Sequence, residues 1–555
     1  MKLLFRCLTA AVWLLAALAA FSSEADAADY AVAVGRLEQA VREEMTAWGI
    51  TGISVALVDE QETVYAAGFG EAKRESAFRC GSISKLFNAV AVMQLVEAGK
   101  LDLDMPLERV DAGLVPINPF TNPAPVTLRQ LLCHRSGMFR ESPVGGYFDD
   151  TQPGLTRMTA SVPQGVLVNP PNTKTRYSNV GPSIAGRAVE LVSGMTFREY
   201  QRQHILGPLA MTNSAWTVKD LRPGQLVQAY MRVADGHGGF VRRCAPVFDL
   251  GTIPAGNLFT TAGDLARFIA MLAAEGRAPG GCILKPESLT QMFTPQLTSE
   301  PTGFGLGFLV GKFREHPCIS HNGAVYGHSS SLVFLPDVKI GAVVLGNEDV
   351  VNARIQKLAN LALSLMLEAK RGEEPPPVPP ALDLSAETLA AFAGDYQSQS
   401  FWAKLEVKER RLIANISGQA TRLTAIEPLR FLADSRVSDA APLTFVRNDK
   451  GEATGFTMGV QKFARVAPGG PEIPSDWRPY LGSYGPGFIP LVVSWRNGHL
   501  YAMTENMADY RLTPVNRYVF AFPPGLYADE HLVFLSGRQG KPRRVDLANM
   551  ILKRR

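Results

Sequence analysis

An excess of charge of either sign is missing from this 555-residue chain: 56 lysines and arginines stand against 52 aspartates and glutamates, a formal net charge of +4 with no basic stripe or acidic tail. That balance argues against a nucleic-acid partner, whose phosphates call for clustered cations. Cysteine is scarce, six in all, and there are eight histidines. Cys7 falls in a leading segment that reads as removable. The remaining Cys80, Cys133, Cys244, Cys282 and Cys318 are odd in number and irregular in spacing, so at least one thiol must stay unpaired and buried free thiols are expected. No pair of histidines has the spacing of a zinc site, and no metal or organic cofactor is expected. Beyond residue 27 no stretch approaches about 20 apolar residues, which leaves no stable membrane span to expect.

Turning to what is present, Lys2 and Arg6 make a basic start, Leu8 to Phe21 are mostly apolar, and Ala25-Asp26-Ala27 offers small residues for cleavage before Ala28. This pattern predicts an export signal over residues 1–27 and a periplasmic or secreted product. No cysteine follows the apolar run where lipid attachment would need one. With 46% hydrophobic and 19% charged residues the rest is of globular composition, and its length is too great for a single core.

A composition break divides the mature chain. Residues 371–380 include Glu373-Glu374-Pro375-Pro376-Pro377 and Pro379-Pro380, which continue neither helix nor central strand and predict a semi-rigid linker after a domain over 28–370. Within that domain, Ile53 to Val58 and Thr63 to Ala67 read as a hairpin. Thr127 to Cys133, Ser183 to Val192, Ala262 to Ala274 and Gln356 to Glu368 read as helices, and Ser330 to Leu335 with Ile340 to Leu345 as a second strand pair. Strands at both ends with helices between predict an α+β fold on one antiparallel sheet. Past the linker the chain repeats weakly: Gly394-Asp395-Tyr396 matches Gly482-Ser483-Tyr484, 88 positions on, while Arg422-Leu423-Thr424 matches Arg511-Leu512-Thr513, 89 positions on. Two small all-β, barrel-like modules are expected, over 381–467 and 475–555.

Three short motifs in the first domain carry chemistry. Ser82-Ile83-Ser84-Lys85 is the one place where a serine is followed three positions later by a lysine, at the opening of a stretch that reads as a long amphipathic helix. Positions i and i+3 share a helix face, so a hydroxyl nucleophile and an amine base would meet there, provided burial or nearby positive charge lowers the lysine pKa. Tyr177-Ser178-Asn179, the one Y-x-N, presents a phenol able to shuttle a proton and an amide able to hold a substrate carbonyl. His321-Asn322-Gly323 would put an imidazole and a side-chain-free residue on one strand face, leaving room for substrate along it. His237-Gly238-Gly239 fits the same crude pattern but reads as a flexible turn, and structural hydrogen bonds are expected of His134 and His328.

In this order and spacing the motifs resemble those of the penicillin-recognising serine hydrolases, specifically the class C β-lactamase-related family. Leu131 to Met138, Gly207 to Thr212 and Pro254 to Leu258 are also similar to stretches of that family, so the resemblance spans roughly residues 35 to 365. It implies a β-lactamase/transpeptidase-like domain in which Ser82 attacks an amide or ester carbonyl. Lys85 and Tyr177 would share the proton transfers, Asn179, His321 and Gly323 would contact substrate, and the backbone NH groups of Ser82 and Ala324 would form the oxyanion hole. Tyr177 would help as base when water releases the acyl group. One departure bears on substrate: His321 stands where β-lactamases of this class carry lysine, as in esterase and peptidase relatives, so weak or absent β-lactamase activity is expected. A catalytic domain followed by two small barrels is similar in architecture to bacterial D-aminopeptidases, in which a barrel loop shapes the active-site mouth. The resemblance thus leaves three readings: hydrolysis of a small or short-peptide amide, D-amino-acid substrates included; ester hydrolysis; and a penicillin- or cell-wall-peptide-binding receptor with little turnover. Oligomeric state stays open.

Overall fold

The computed structural model describes residues 28–121, 124–235, 239–535, 537 and 541–555; the expected export signal and the turn residues His237 and Gly238 lie outside them. Seven antiparallel strands form the central sheet, in the order Glu62–Gly70, Gly52–Asp59, Ile340–Gly346, His328–Leu335, His316–Val325, Leu309–Phe313 and Gly303–Phe304. The expected α+β sheet is thus present, with its first hairpin joined to its last strand through the pairing of Ile53 with Gly346.

Alternation of side chains along the strands explains the layering. Ile53, Val55 and Leu57 point to one face, where they meet Leu37, Val41, Ile355 and Leu358 of the helices Ala31–Trp48 and Asn352–Arg371. Ala56, Val58, Val343 and Leu345 point to the other, against Leu265, Phe268 and Ile269 of Ala262–Ala273. The helix Ser84–Glu97 differs from its expected amphipathic character: Ser84 to Met93 are all buried, because the helix runs through the middle of a helical layer rather than along its surface.

Arg371 ends the long helix, Gly372 follows in the left-handed region, and the next regular element is Ala386–Ala390. Eight strands from Gly394–Gln397 to Gln461–Val466 then close into a barrel around Phe392, Tyr396, Phe431, Phe445 and Phe456. It docks through buried arginines: Arg354 meets Asp434 at 3.2 Å and Asp439 at 3.1 Å, and Arg436 donates to the carbonyls of Trp48 (2.8 Å) and Asp349 (2.9 Å). The second module differs from a single closed barrel. Among the described residues it consists of a four-stranded sheet from Gly482–Tyr484 to Asp509–Arg511 and a five-stranded sheet from Thr513–Pro514 to Met550–Lys553. The weak repeat has a physical counterpart in a shared corner. Tyr396 donates to the Phe392 carbonyl and Tyr484 to that of Tyr480, each at 2.8 Å, with Arg465 and Arg554 over the respective rings.

All five cysteines from Cys80 onward are free, with Cys80 and Cys133 buried and Cys244 and Cys282 exposed. Among the described residues no helix is long and apolar enough to cross a membrane.

Candidate active site

The turn Gly81–Ile83 delivers Ser82 to the start of the helix Ser84–Glu97. Ser84 fastens that turn, donating to the Gly81 carbonyl at 2.6 Å and accepting from the Leu258 amide at 3.0 Å. One helical turn on, Lys85 Nζ lies 3.0 Å from Ser82 Oγ, 2.8 Å from Asn179 Oδ1 and 2.8 Å from the Ala255 carbonyl. Lys85 is 1% exposed, and burial holds its pKa well below the usual lysine value; Arg140 pushes in the same direction and Glu141 opposes both.

Tyr177 lies in irregular chain just before the helix Val180–Ser193, and Asn179 is the residue preceding that helix. Lys85 Nζ is 4.9 Å from the centre of the Tyr177 ring, and the Arg140 guanidinium carbon is 5.8 Å from it. Burial pushes the Tyr177 phenol up to about 12, against the pull of a hydrogen bond with Ser82 and of the Arg140 charge. His134, expected to be structural, stacks on Tyr177 with centroids 4.3 Å apart and accepts a hydrogen bond at its Nδ1 from the Ser178 amide. Asn179 Nδ2 donates to Glu141 Oε1 at 2.5 Å, so one amide bridges the lysine and a buried carboxylate.

His321 lies inside the strand His316–Val325, its ring 6.3 Å from that of Tyr177. Its Nδ1 contacts the Asn322 carbonyl at 2.6 Å, and its Nε2 is buried without a hydrogen-bond partner. Burial, reinforced by Lys85, lowers its pKa to about 4, so the imidazole is neutral at physiological pH. Gly323 corrects the sequence reading. Its bare face is already filled, since a Cβ built there would stand 2.0 Å from the Cys80 carbonyl oxygen and 2.4 Å from Ser330 Oγ. The glycine seats the Ser82 turn against the strand instead of leaving room for substrate. Gly81 does the same from the other side: its φ is +54°, and a Cβ on it would come within 2.8 Å of the Ala324 nitrogen. Ser82 and Ala324 therefore line one small cleft, of about 20 Å³, together with Tyr147, Asn179, Thr252, Ala255 and Val325. A larger groove, of about 720 Å³, opens beside Tyr177 between Arg140, Lys174 and Arg176 and the segment 522–529 of the second module.

The structure thus brings together Ser82, Lys85, Tyr177, Asn179, His321 and Ala324. Sequence reasoning missed Arg140, Glu141 and the Ala255 carbonyl. Ala255 sits in a stretch that did resemble the family, but a backbone acceptor leaves no trace in residue type.

A family model described as beta-lactamase matches residues 37–365. Penicillin-binding protein 4 of Amycolatopsis lactamdurans is 27% identical over 338 residues, covering 59% of this chain and 85% of its own length. Among solved structures, the octameric penicillin-binding protein homologue from Pyrococcus abyssi matches with a TM-score of 0.53 at 23% identity, covering 78% of this chain and 100% of its own. The D-amino acid amidase from Ochrobactrum anthropi SV3 complexed with D-phenylalanine matches with a TM-score of 0.50 at 22% identity, covering 60% and 99%; at these identities the likeness is one of fold. The matched region spans more than half of the sequence and holds all six assembled residues, and the chain belongs to the beta-lactamase family of serine hydrolases.

Proposed function

We propose that this chain is an exported serine hydrolase that cleaves amide bonds of small substrates through an acyl-enzyme on Ser82, with D-amino-acid amides and short peptides as the favoured class. The surroundings of Lys85 carry the reading. Two of its three neighbours, Asn179 Oδ1 and the Ala255 carbonyl, only accept hydrogen bonds. A neutral amine gives its two protons to them and turns its lone pair toward the third neighbour, Ser82 Oγ. Burial favours this neutral form.

Lys85 takes the proton as Ser82 Oγ attacks the carbonyl, and the backbone NH groups of Ser82 and Ala324 receive the developing oxyanion. With a pKa near 12, Tyr177 enters as a phenol. It hands its proton to the departing amine and recovers one from the Lys85 ammonium, which gives it the part of a shuttle, and the restored Lys85 amine, in place of the Tyr177 base that the resemblance implies, then takes a proton from the attacking water. Asn179, held by Glu141, orients the substrate carbonyl while fixing Lys85. A neutral His321 offers no cation to a β-lactam carboxylate, which favours simple amides over cephalosporins. The small cleft at Ser82 suits a short group on that side.

A screen of D- and L-amino-acid amides, short esters and cephalosporins against wild type and Ser82→Ala tests the proposal. D-amides should be turned over fastest and Ser82→Ala should be inert; full activity in Ser82→Ala removes the nucleophile, and a cephalosporin ahead of every amide and ester removes the substrate class. The likeness to a penicillin-binding protein favours a receptor as second reading. Fluorescent penicillin separates the two, since a label that persists for hours indicates a receptor and a transient one a hydrolase.

A further inference from the structure

We infer that two buried carboxylates of the second β module, Glu505 and Glu530, are positioning residues of the active site: through Arg140 and Arg176 they hold the two chain segments that present Asn179 and Tyr177 to Ser82 and Lys85. The inference rests on the proposed roles of Ser82 and Lys85.

The contacts form a continuous path. Tyr527 OH donates to both oxygens of Glu505, at 3.1 and 3.0 Å, fixing a side chain that is 7% exposed. Glu505 Oε1 accepts from Arg140 Nε at 3.3 Å, which suspends the guanidinium between the rings of Tyr527 and Tyr177. Glu530 accepts from the Arg140 backbone amide at 3.0 Å and from Arg176 Nη2 at 3.2 Å. One carboxylate thereby ties the segment carrying Glu141 to the segment carrying Tyr177. The Arg140 carbonyl in turn accepts from the Asn179 amide at 2.8 Å, and Asn179 reaches Lys85 at 2.8 Å. The first module has buried ion pairs as well, at Arg354 and Arg436, but their partners are Glu44, Asp434, Asp439 and Glu348, none of which touches the site. Docking alone therefore does not call for carboxylates at the catalytic constellation; the second module supplies them there.

Electrostatics gives the path a readable consequence. Arg140 is faced by Glu505, Glu141, Glu530, Tyr177 and Tyr527, and Lys85 by Glu141, Arg140, Cys80, His134, His321 and Tyr177. Removing the Glu505 charge leaves Arg140 less compensated. This disfavours the protonated form of Lys85 and favours the carboxylate of Glu141, so both groups titrate at lower pH.

The test uses the full chain and a fluorescent fluorophosphonate, whose rate of attachment to Ser82 is followed across pH beside the thermal midpoint. Glu505→Gln and Glu530→Gln should label about 10- to 100-fold more slowly, as a misplaced constellation does, and Glu505→Gln should also move the acid limb to lower pH. Asp434→Asn, at the first module, should change the midpoint alone. Wild-type rate and wild-type acid limb in both glutamine variants overturn the inference while leaving Ser82 in place. An unlabelled wild type overturns the reading of Ser82 and, with it, this one. If the glutamine variants do not fold, Tyr527→Phe keeps the ring and removes only the donor to Glu505: a smaller loss in the same direction is expected, and an unchanged rate and limb refute the inference.

Discussion

Replacing Gly323 with alanine tests how the nucleophile turn is seated. A Cβ there would sit 2.0 Å from the Cys80 carbonyl oxygen and 2.4 Å from Ser330 Oγ, whereas ordinary contact begins near 3.4 Å, so something must give by about 1.4 Å. The strand cannot give easily, because Gly323 pairs with Ser330 within a sheet whose neighbouring strands are fixed on either side. The Cys80 carbonyl already accepts from Ser330 Oγ at 2.8 Å, so the added methyl enters an occupied hydrogen bond. The turn yields instead, carrying Ser82 away from the Ala324 amide. A displacement of roughly 1 Å costs about 100-fold in rate, and overpacking of this kind costs about 1–3 kcal/mol in stability. Hydrolysis of the best substrate and urea unfolding measure the two effects. Gly311→Ala is the control, since a Cβ there meets nothing within 4 Å and both measurements should stay at wild type. A Gly323→Ala protein with wild-type turnover would refute the account of the turn.

Tyr177→Phe should lower turnover about 10²- to 10⁴-fold with little change in melting, because the ring stacked on His134 is kept; turnover within a factor of two of wild type would leave the hydroxyl without a part in proton transfer. Glu141 is pushed up to about 7 by burial, with Glu505 adding to the effect and Arg140 and the Asn179 hydrogen bond opposing it. Its folded-state pKa lies above the ordinary 4.5, so its contribution to stability is full below that value and lost as pH rises through about 7. Glu141→Gln should remove this decline, so that urea unfolding at a series of pH values shows the variant gaining on wild type as pH rises; parallel profiles would contradict the assignment. Arg436→Ala leaves the buried Glu348, 3.4 Å away, with one cation fewer and should cost about 3 kcal/mol, read as a lower urea midpoint with Ser82 labelling in the surviving folded protein unchanged.

What could be read from the sequence was local. Ser82 and Lys85 meet because they stand three positions apart on one helical turn, whatever surrounds that turn. Thr127 and Gln130 form a reciprocal cap at the start of Leu128–Leu132, which marks the helix in the letters themselves. Where burial depends on remote chain, the letters mislead or stay silent. The helix Ala31–Trp48 has no clear mark in the sequence: its inward positions are Ala33, Leu37, Val41 and Glu44, a thin apolar stripe ending in a glutamate that pairs with Lys357 at 2.6 Å. Arg140 and Glu141 carry no local sign of a role because the carboxylates that hold Arg140 lie at positions 505 and 530. Gly323 reads as an open face in the sequence because its occupant is a main-chain oxygen, which no residue type announces.

Val325 directly follows Ala324 and belongs to the apolar cluster in which Phe148, Phe248 and Tyr326 meet Tyr480, Tyr484 and Met550. Cutting the chain after the long helix, where the proline-rich stretch invites it, would strip those aromatics to solvent at the edge of the cleft. The shortened piece would be a sticky, loosened protein instead of a smaller enzyme, and heating the intact chain should melt this cluster from both sides in one cooperative step.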